Sequence, residues 1–128
     1  MKRKLFLPLI LLFVASCDAT KENSNVVSLS ADDFADVIAE TNNIQVLDVR
    51  THDEFIKGHI PNSINIDVKQ DGFGDRAQSQ LDKEDPVAVY CRSGRRSKVA
   101  ATILVDMGYT VYELNQGIID WKGEIQSN

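Results

Sequence analysis

The chain has 128 residues, of which 43% are hydrophobic and 26% charged, and its formal net charge at pH 7 is −5. This length suits one domain, and the composition is that of a globular protein rather than a disordered or fibrous one. The acidic balance argues against nucleic acid as a partner.

The first 16 residues have the three parts of a secretory signal peptide. Basic residues at positions 2–4 precede an apolar stretch over residues 5–14, and small residues follow at positions 15 and 16. The apolar stretch contains Pro8 and is shorter than the roughly 20 residues that a membrane-spanning helix needs. We therefore predict a signal peptide over residues 1–16 rather than a transmembrane helix.

Residues 14–17 resemble the lipobox of bacterial lipoproteins, with a hydrophobic residue, two small residues and Cys17. This resemblance implies that Cys17 is acylated and becomes the first mature residue, which would anchor the chain to a membrane of the bacterial cell envelope. Asp18 is similar to an inner-membrane retention signal, but the choice between the inner and the outer membrane stays open. An ordinary signal peptide that happens to be followed by a cysteine is the alternative.

After the signal peptide, residues 17–25 are predicted to form a polar tether, and residues 26–128 a single domain. Residues 1–16 contain three of the 14 Lys and Arg residues and no Asp or Glu, so the remaining 11 cations face 19 anions and the formal charge becomes −8. Four of these 11 cations lie within seven positions, at Arg92, Arg95, Arg96 and Lys98. A small anion is therefore expected to bind there and nowhere else.

In chain order, the domain begins with a predicted strand over residues 26–29 and a helix over residues 31–40 that Ser30 caps. A buried strand follows over residues 44–49. Thr51 and Glu54 have the spacing of a capping box at the start of a short helix, which Gly58 ends.

The second half continues the alternation of strands with helices. Strands are predicted over residues 63–66, 86–90 and 110–114, and helices over residues 76–81, 97–107 and 118–125. Trp121, in the last helix, is expected to pack on the sheet. The pattern indicates an α/β domain with a mostly parallel five-stranded sheet and helices on both faces.

Cys91 follows the predicted strand over residues 86–90 and has no intramolecular disulfide partner, because Cys17 is assigned to the lipid. A loop with Gly94 then leads into a helix, so amide N–H groups and the helix dipole can converge on the sulfur and lower the pKa of the thiol. Ser93 and Ser97 add hydroxyl donors. The plain alternative is a buried core thiol, which has no need of three neighbouring arginines.

This loop resembles the active-site loop of rhodanese-type sulfurtransferases, and the resemblance covers about residues 26–125. Besides the loop it includes Asp48-Val49-Arg50, Glu54-Phe55, Gly58-His59-Ile60-Pro61, Ser63-Ile64-Asn65, Gly108-Tyr109, Gly117 and Trp121. One departure is Asn115-Gln116-Gly117, where many members of the family have two adjacent glycines, and this departure concerns the rim of the pocket.

The resemblance implies that Cys91 is the nucleophile, which accepts a sulfane sulfur from thiosulfate or a similar small anion and passes it to cyanide or a thiol. The backbone amides from Arg92 to Ser97 would hold the persulfide. Arg96 would orient the loop or the donor, and Arg92 and Arg95 would select the donor. The reaction requires no metal or organic cofactor, and no protein partner is identified.

The upstream motifs are interpreted as support for the loop rather than as catalytic groups. Asp48 is expected to hold loop N–H groups or an arginine, and Arg50 to pair with Glu54 or Asp53. His59 could act as a general base, but its place in a turn favours a structural hydrogen bond.

Two other functions stay open. A cysteine-dependent phosphatase or arsenate reductase has the same strand, loop and helix, but the four residues between Cys91 and Arg96 make this loop one residue shorter than the phosphatase loop. A persulfide carrier, sensor or docking module with low turnover would need the same loop as the enzyme. Steady thiocyanate formation would distinguish the enzyme from a carrier that is loaded once.

Overall fold

Residues 25–128 form five strands and four helices in alternation, followed by a last 3₁₀ turn. The structure, a computed structural model, describes residues 25–128, so the predicted signal peptide, the lipidation of Cys17 and nearly all of the tether lie outside the described residues. The strands are β1 (Val26–Leu29), β2 (Gln45–Asp48), β3 (Ile64–Asn65), β4 (Val87–Tyr90) and β5 (Val111–Leu114). The helices are α1 (Ala31–Glu40), α2 (His52–Lys57), α3 (Phe73–Gln80) and α4 (Arg95–Asp106), and the 3₁₀ turn is Ile118–Asp120.

All paired strands are parallel, in the order β1-β5-β4-β2-β3. Strand β4 lies in the middle, and its four residues are all buried, as expected for a central strand covered on both faces. Parallel strands end at the same edge of a sheet, where α/β proteins bind ligands. Cys91, which follows β4 directly, lies at the centre of that edge.

The sheet separates two apolar cores, which confirms the predicted α/β class with helices on both faces. Val87 and Val89 point into the core formed with α3 and α4, whereas Ala88 and Tyr90 point into the core formed with α1. This alternation follows from the two-residue period of a strand. Among residues 25–128, no helix is long and apolar enough to cross a membrane.

The predicted helix caps are present, and two helix starts differ from the predictions. Ser30 Oγ accepts a hydrogen bond from the amide of Asp33 at 3.2 Å, and Thr51 Oγ1 accepts one from the amide of Glu54 at 3.3 Å. Helix α3 begins three residues earlier than predicted and α4 two residues earlier. Both begin after glycines in the left-handed region, a conformation that the apolar periodicity does not reveal.

The helix predicted over residues 118–125 is wrong, because only Ile118–Asp120 is helical and Trp121 is extended. The chain beyond it pairs its backbone with another segment: Gln126 N donates to His59 O at 2.9 Å, and His59 N donates to Gln126 O at 2.8 Å. Trp121 nevertheless packs on the core beside α1, edge to face with Phe34 at a centroid distance of 6.2 Å. The chain after Asp120 therefore forms backbone hydrogen bonds to His59 in place of the predicted helix.

Candidate active site

Cys91 directly follows strand β4 and is almost fully buried, with 1% of its surface exposed. Gly94, whose φ is +96°, turns the chain so that its amide N–H donates to Cys91 Sγ over 3.1 Å. Ser97 Oγ, in the first turn of α4, lies 3.4 Å from the same sulfur. The sulfur therefore faces the inside of the loop and the beginning of the helix, as the sequence predicted.

The surroundings of the sulfur favour its anion. Burial raises the pKa of the Cys91 thiol, but hydrogen bonds from the Ser97 side chain and backbone and from the Gly94 and Ser93 amides outweigh burial, and the pKa lies below its ordinary value. Hydrogen bonds to an anion stabilise it by more than they stabilise the neutral form. The loop is thus suited to a thiolate or to a persulfide anion.

The loop packs directly on the segment after β5. Ile118 N donates to Cys91 O at 2.9 Å, and Ile119 N donates to Arg92 O at 3.2 Å. A Cβ atom on Gly117 would lie 2.1 Å from Arg92 O, and the φ of Gly117 is +72°. Only glycine fits at position 117, so the departure at Asn115 and Gln116 preserves the glycine that this contact requires.

The three arginines of the loop have two different environments. Arg92 and Arg95 are exposed, so both guanidinium groups can meet an anion that arrives from solvent. Arg96 instead donates to both carboxylate oxygens of Glu54, at 2.7 and 3.0 Å. The hydrogen bond from Arg96 is the main reason that the pKa of Glu54 is lowered to about 2. Arg96 thereby ties the start of α4 to α2, which is compatible with the predicted orientation of the loop.

Asp48 and Arg50 pair with each other rather than with the acidic residues of α2. Arg50 Nη2 donates to Asp48 Oδ2 at 2.7 Å and to Gly58 O at 2.6 Å, and the Arg50 amide donates to Asp48 Oδ1 at 2.9 Å. The expected pairing of Arg50 with Glu54 or Asp53 is therefore wrong: Asp48 lies two positions before Arg50 at the buried end of β2, and Glu54 is paired with Arg96. This buried pair fixes the turn between β2 and α2.

His59 has a structural position. Its Nδ1 lies 2.9 Å from Phe55 O, its ring stacks on the Phe55 ring at a centroid distance of 3.9 Å, and 5% of its surface is exposed. The backbone pairing with Gln126 holds the same residue from the other side. These contacts agree with the interpretation of His59 as a structural hydrogen-bonding residue.

Glu113, in β5, is a buried carboxylate beside the site that the sequence analysis did not single out. Its Oε2 accepts from Ser97 Oγ at 2.6 Å and from Lys98 Nζ at 3.4 Å, and its Oε1 accepts from Ser28 Oγ at 2.5 Å. The signal in the sequence was a glutamate inside an otherwise apolar strand, where a charge is costly unless it has partners.

Within residues 25–128, no group of three or more His, Cys, Asp or Glu side chains is placed to hold a metal ion.

The comparison with protein families matches the sequence to the rhodanese-like domain over residues 30–124. A sulfurtransferase of Allochromatium vinosum is 31% identical over 97 residues, which cover 75% of this chain and 88% of that protein. The thiosulfate sulfurtransferase PspE of Escherichia coli is 39% identical over 75 residues, 58% of this chain and 70% of that protein. The putative sulfur carrier protein YrkF of Bacillus subtilis is 28% identical over 109 residues, which cover 84% of this chain but only 57% of that protein.

A solved structure has the same fold. The crystal structure of a rhodanese-related protein from Thermoplasma volcanium superposes with a TM-score of 0.66 at 29% identity, and the match covers 80% of this chain and 99% of that one.

Proposed function

This chain belongs to the rhodanese-like domain family, and from that premise we propose that it transfers sulfane sulfur from thiosulfate or a similar donor through a persulfide on Cys91. The observation that supports the proposal most is the position of Cys91 Sγ, 3.1 Å from the Gly94 amide and 3.4 Å from the Ser97 hydroxyl. An amide N–H so placed donates to the sulfur and stabilises a negative charge on it.

The proposed reaction has two displacements. In the first, a lone pair of the Cys91 thiolate forms a bond to the outer sulfur of thiosulfate, and the S–S bond of thiosulfate breaks with its electron pair on the departing sulfite. In the second, cyanide or a thiolate attacks the outer sulfur of the persulfide, and the Cys91 thiolate leaves. Atoms and charges balance in both steps, and no oxidant or reductant is needed.

The charge distribution supports an anionic donor. Arg92 and Arg95 are exposed at the loop, while the whole chain has a formal charge of −5. A divalent anion such as thiosulfate is therefore attracted to the loop and repelled by the rest of the surface. Arg96 is not free for the donor in the same way, because it uses two N–H groups on Glu54.

The test is mass spectrometry of the full chain, purified in detergent with Cys17 replaced by serine so that Cys91 is its single thiol. Exposure to thiosulfate is expected to add one sulfur, about 32 Da, which cyanide then removes. The Cys91→Ser variant of the same protein is the matched control and should gain no mass. Hydrolysis of a phosphate ester without sulfur uptake would contradict the proposal and favour the phosphatase.

A persulfide carrier is the second candidate, since it would hold the persulfide in the same loop as the enzyme. The relative named as a putative sulfur carrier is similar over 84% of this chain. The two functions differ in turnover. An enzyme forms thiocyanate steadily from thiosulfate and cyanide, whereas a carrier releases about one equivalent and then needs its partner protein to continue.

A further inference from the structure

Glu113 has an unusual position for a charged residue, because 0% of its surface is exposed and it lies on β5, next to the strand that ends at Cys91. Three donors surround its carboxylate: the Ser28 hydroxyl, the Ser97 hydroxyl and the Lys98 ammonium group. A carboxylate can be kept in a protein interior when its oxygens are hydrogen-bonded in this way. The proposed sulfur transfer, by itself, gives this residue no role.

The Ser97 hydroxyl connects Glu113 to the reacting sulfur. Its oxygen lies 2.6 Å from Glu113 Oε2 and 3.4 Å from Cys91 Sγ. A hydroxyl has one proton, so it can donate to only one of these two acceptors at a time. The short contact to a carboxylate is the stronger bond, and the Ser97 lone pairs then face the sulfur, where they can accept from an S–H group.

The thiolate and the persulfide place different demands on this hydroxyl. A bare thiolate carries its charge on Sγ and needs the Ser97 proton, which Glu113 also attracts. The two contacts place the carboxylate within about 6 Å of Sγ, where two negative charges disfavour each other in an interior of low dielectric constant. In the persulfide the charge is on the outer sulfur, Sγ is a neutral bridging atom, and the bond from Ser97 to Glu113 can remain.

We propose that Glu113 is a positioning residue that competes with Cys91 for the hydroxyl proton of Ser97, and so favours the sulfur-loaded cysteine over the bare thiolate. The consequence for sulfur loading rests on the proposed function, whereas the competition for the proton does not. Glu113 acts through Ser97 and does not contact the donor.

Several charged groups lie around the loop or interact with Arg96, which itself interacts with Cys91, and each has to be held constant in a test. They come from four elements or segments around the loop: Arg96 and Lys98 on α4, Glu54 on α2, Asp67 after β3, and Glu113 on β5. Replacing Glu113 by glutamine keeps the size of the side chain and leaves the other four in place. Lys98 then loses one anionic partner. Its positive charge stabilises the thiolate of Cys91, so this change and the removal of the Glu113 charge both lower the pKa of Cys91.

The first experiment measures the pH dependence of alkylation of Cys91 by iodoacetamide, in the full chain with Cys17→Ser. Glu113→Gln is expected to lower the apparent pKa of Cys91 by about one unit, because it removes both the competing acceptor and a nearby negative charge. Glu40→Gln is the matched control. It removes one exposed charge at the end of α1 and should leave the apparent pKa unchanged.

A second pair of variants tests whether Ser97 is the connection. With Ser97→Ala there is no shared proton, so adding Glu113→Gln should shift the apparent pKa of Cys91 by less than half of its effect in the presence of Ser97. An equal shift in both backgrounds would show that Glu113 acts by charge alone and would overturn the proposal. If Glu113→Gln does not fold, Ser28→Ala is still informative. Without the hydrogen bond from Ser28, Glu113 attracts the Ser97 proton more strongly, so the apparent pKa of Cys91 should rise, and a fall would overturn the proposal.

The consequence for sulfur loading is measured in mixtures of thiosulfate and sulfite above the apparent pKa of both proteins. Because Glu113→Gln stabilises the thiolate, half-loading is expected to need roughly tenfold more thiosulfate relative to sulfite, the ratio that corresponds to one pKa unit. Unchanged or easier loading would contradict the proposal. If neither protein takes up sulfur, the proposed function fails, while the alkylation result still decides the competition for the proton.

Discussion

At the scale of single residues, the partner of Arg96 is the contact that sequence analysis did not find. Its guanidinium group binds both oxygens of Glu54, and the side chains are 19% and 30% exposed. The pairing leaves Arg92 and Arg95 as the arginines of the loop that are open to solvent. Arg96 therefore links helix α4 to helix α2, which is compatible with the proposed role in orienting the loop, and the two other arginines are open to an anionic donor.

The Arg96–Glu54 pair predicts a pH-dependent contribution to stability. The pKa of Glu54 is lowered from 4.5 to about 2, so the pair stabilises the fold fully above pH 4.5 and this contribution is lost as the pH falls towards 2. Glu54→Gln should lower the free energy of unfolding at neutral pH by about 1 kcal/mol or less, as expected for a partly exposed pair. The measurement is urea denaturation over this pH range.

The control for that measurement is Glu84→Gln, which changes an exposed carboxylate outside the site. The difference between wild type and Glu54→Gln should shrink as the pH falls through 2 and disappear below it, where Glu54 is protonated and both proteins lack the ion pair. A difference of the same size at pH 2 and at neutral pH would mean that Glu54 acts by packing rather than by its charge.

At the scale of elements, the active loop depends on the segment that follows β5. The carbonyl groups of Cys91 and Arg92 accept hydrogen bonds from Ile118 and Ile119, and this contact brings the backbone of Gly117 against Arg92. The sequence predicted a helix from Ile118 onward, and that helix is replaced by one 3₁₀ turn and an extended end. Residues Gly117, Ile118 and Ile119 thus form the floor of the active loop, the surface against which the backbone of Cys91 and Arg92 packs.

Gly117 and Gly108 both have a positive φ, but only Gly117 lies against Arg92. Alanine variants of the two therefore separate the effect of backbone strain from the loss of the contact with Arg92. Gly117→Ala should lower the free energy of unfolding by about 3 kcal/mol or more and abolish sulfur uptake, because its Cβ would overlap Arg92 O. Gly108 has a φ of +100°, and no atom lies within 4 Å of the Cβ that alanine would add. Gly108→Ala should therefore lower the free energy of unfolding by about 1 kcal/mol and leave sulfur uptake intact. Denaturation and mass spectrometry measure both effects, and equal loss of uptake in the two variants would contradict a role for the floor.

At the scale of the whole molecule, basic residues are concentrated at two places in an otherwise acidic chain. One is the loop from Arg92 to Lys98, and the other is the N-terminal segment at positions 2–4. The second lies outside the described residues, so the signal peptide and the lipid anchor stay predictions. We propose that acylation of Cys17 ties the domain to a bacterial membrane, with the loop reaching donors in the envelope.

The two cysteines provide a matched test of the anchor. Expressed in a bacterium that is fed a radioactive fatty acid, the wild type and Cys91→Ser should both be labelled and be found with the membranes. Cys17→Ser should be unlabelled and leave the membrane fraction, because two or three acyl chains supply the binding. Labelling of Cys17→Ser would contradict the lipoprotein assignment.

The sequence by itself determined the succession of strands and most helices along the chain, the caps at Ser30 and Thr51, and the place of Cys91 directly after a strand. These features depend on neighbours within a few positions: the period of apolar residues, a capping side chain, a glycine after a strand. Such short-range patterns are readable because each is decided by local backbone geometry.

Only the tertiary structure decided which distant groups meet. Arg96 binds Glu54, which lies 42 positions away in the sequence, and Ser97 donates to Glu113, which lies 16 positions away. The backbone of Gln126, near the end of the chain, pairs with His59 instead of forming a helix. No spacing rule encodes these contacts, because the packing of α4, α2 and β5 around the sheet edge brings them together. The competition for the Ser97 proton is therefore a property of the folded molecule.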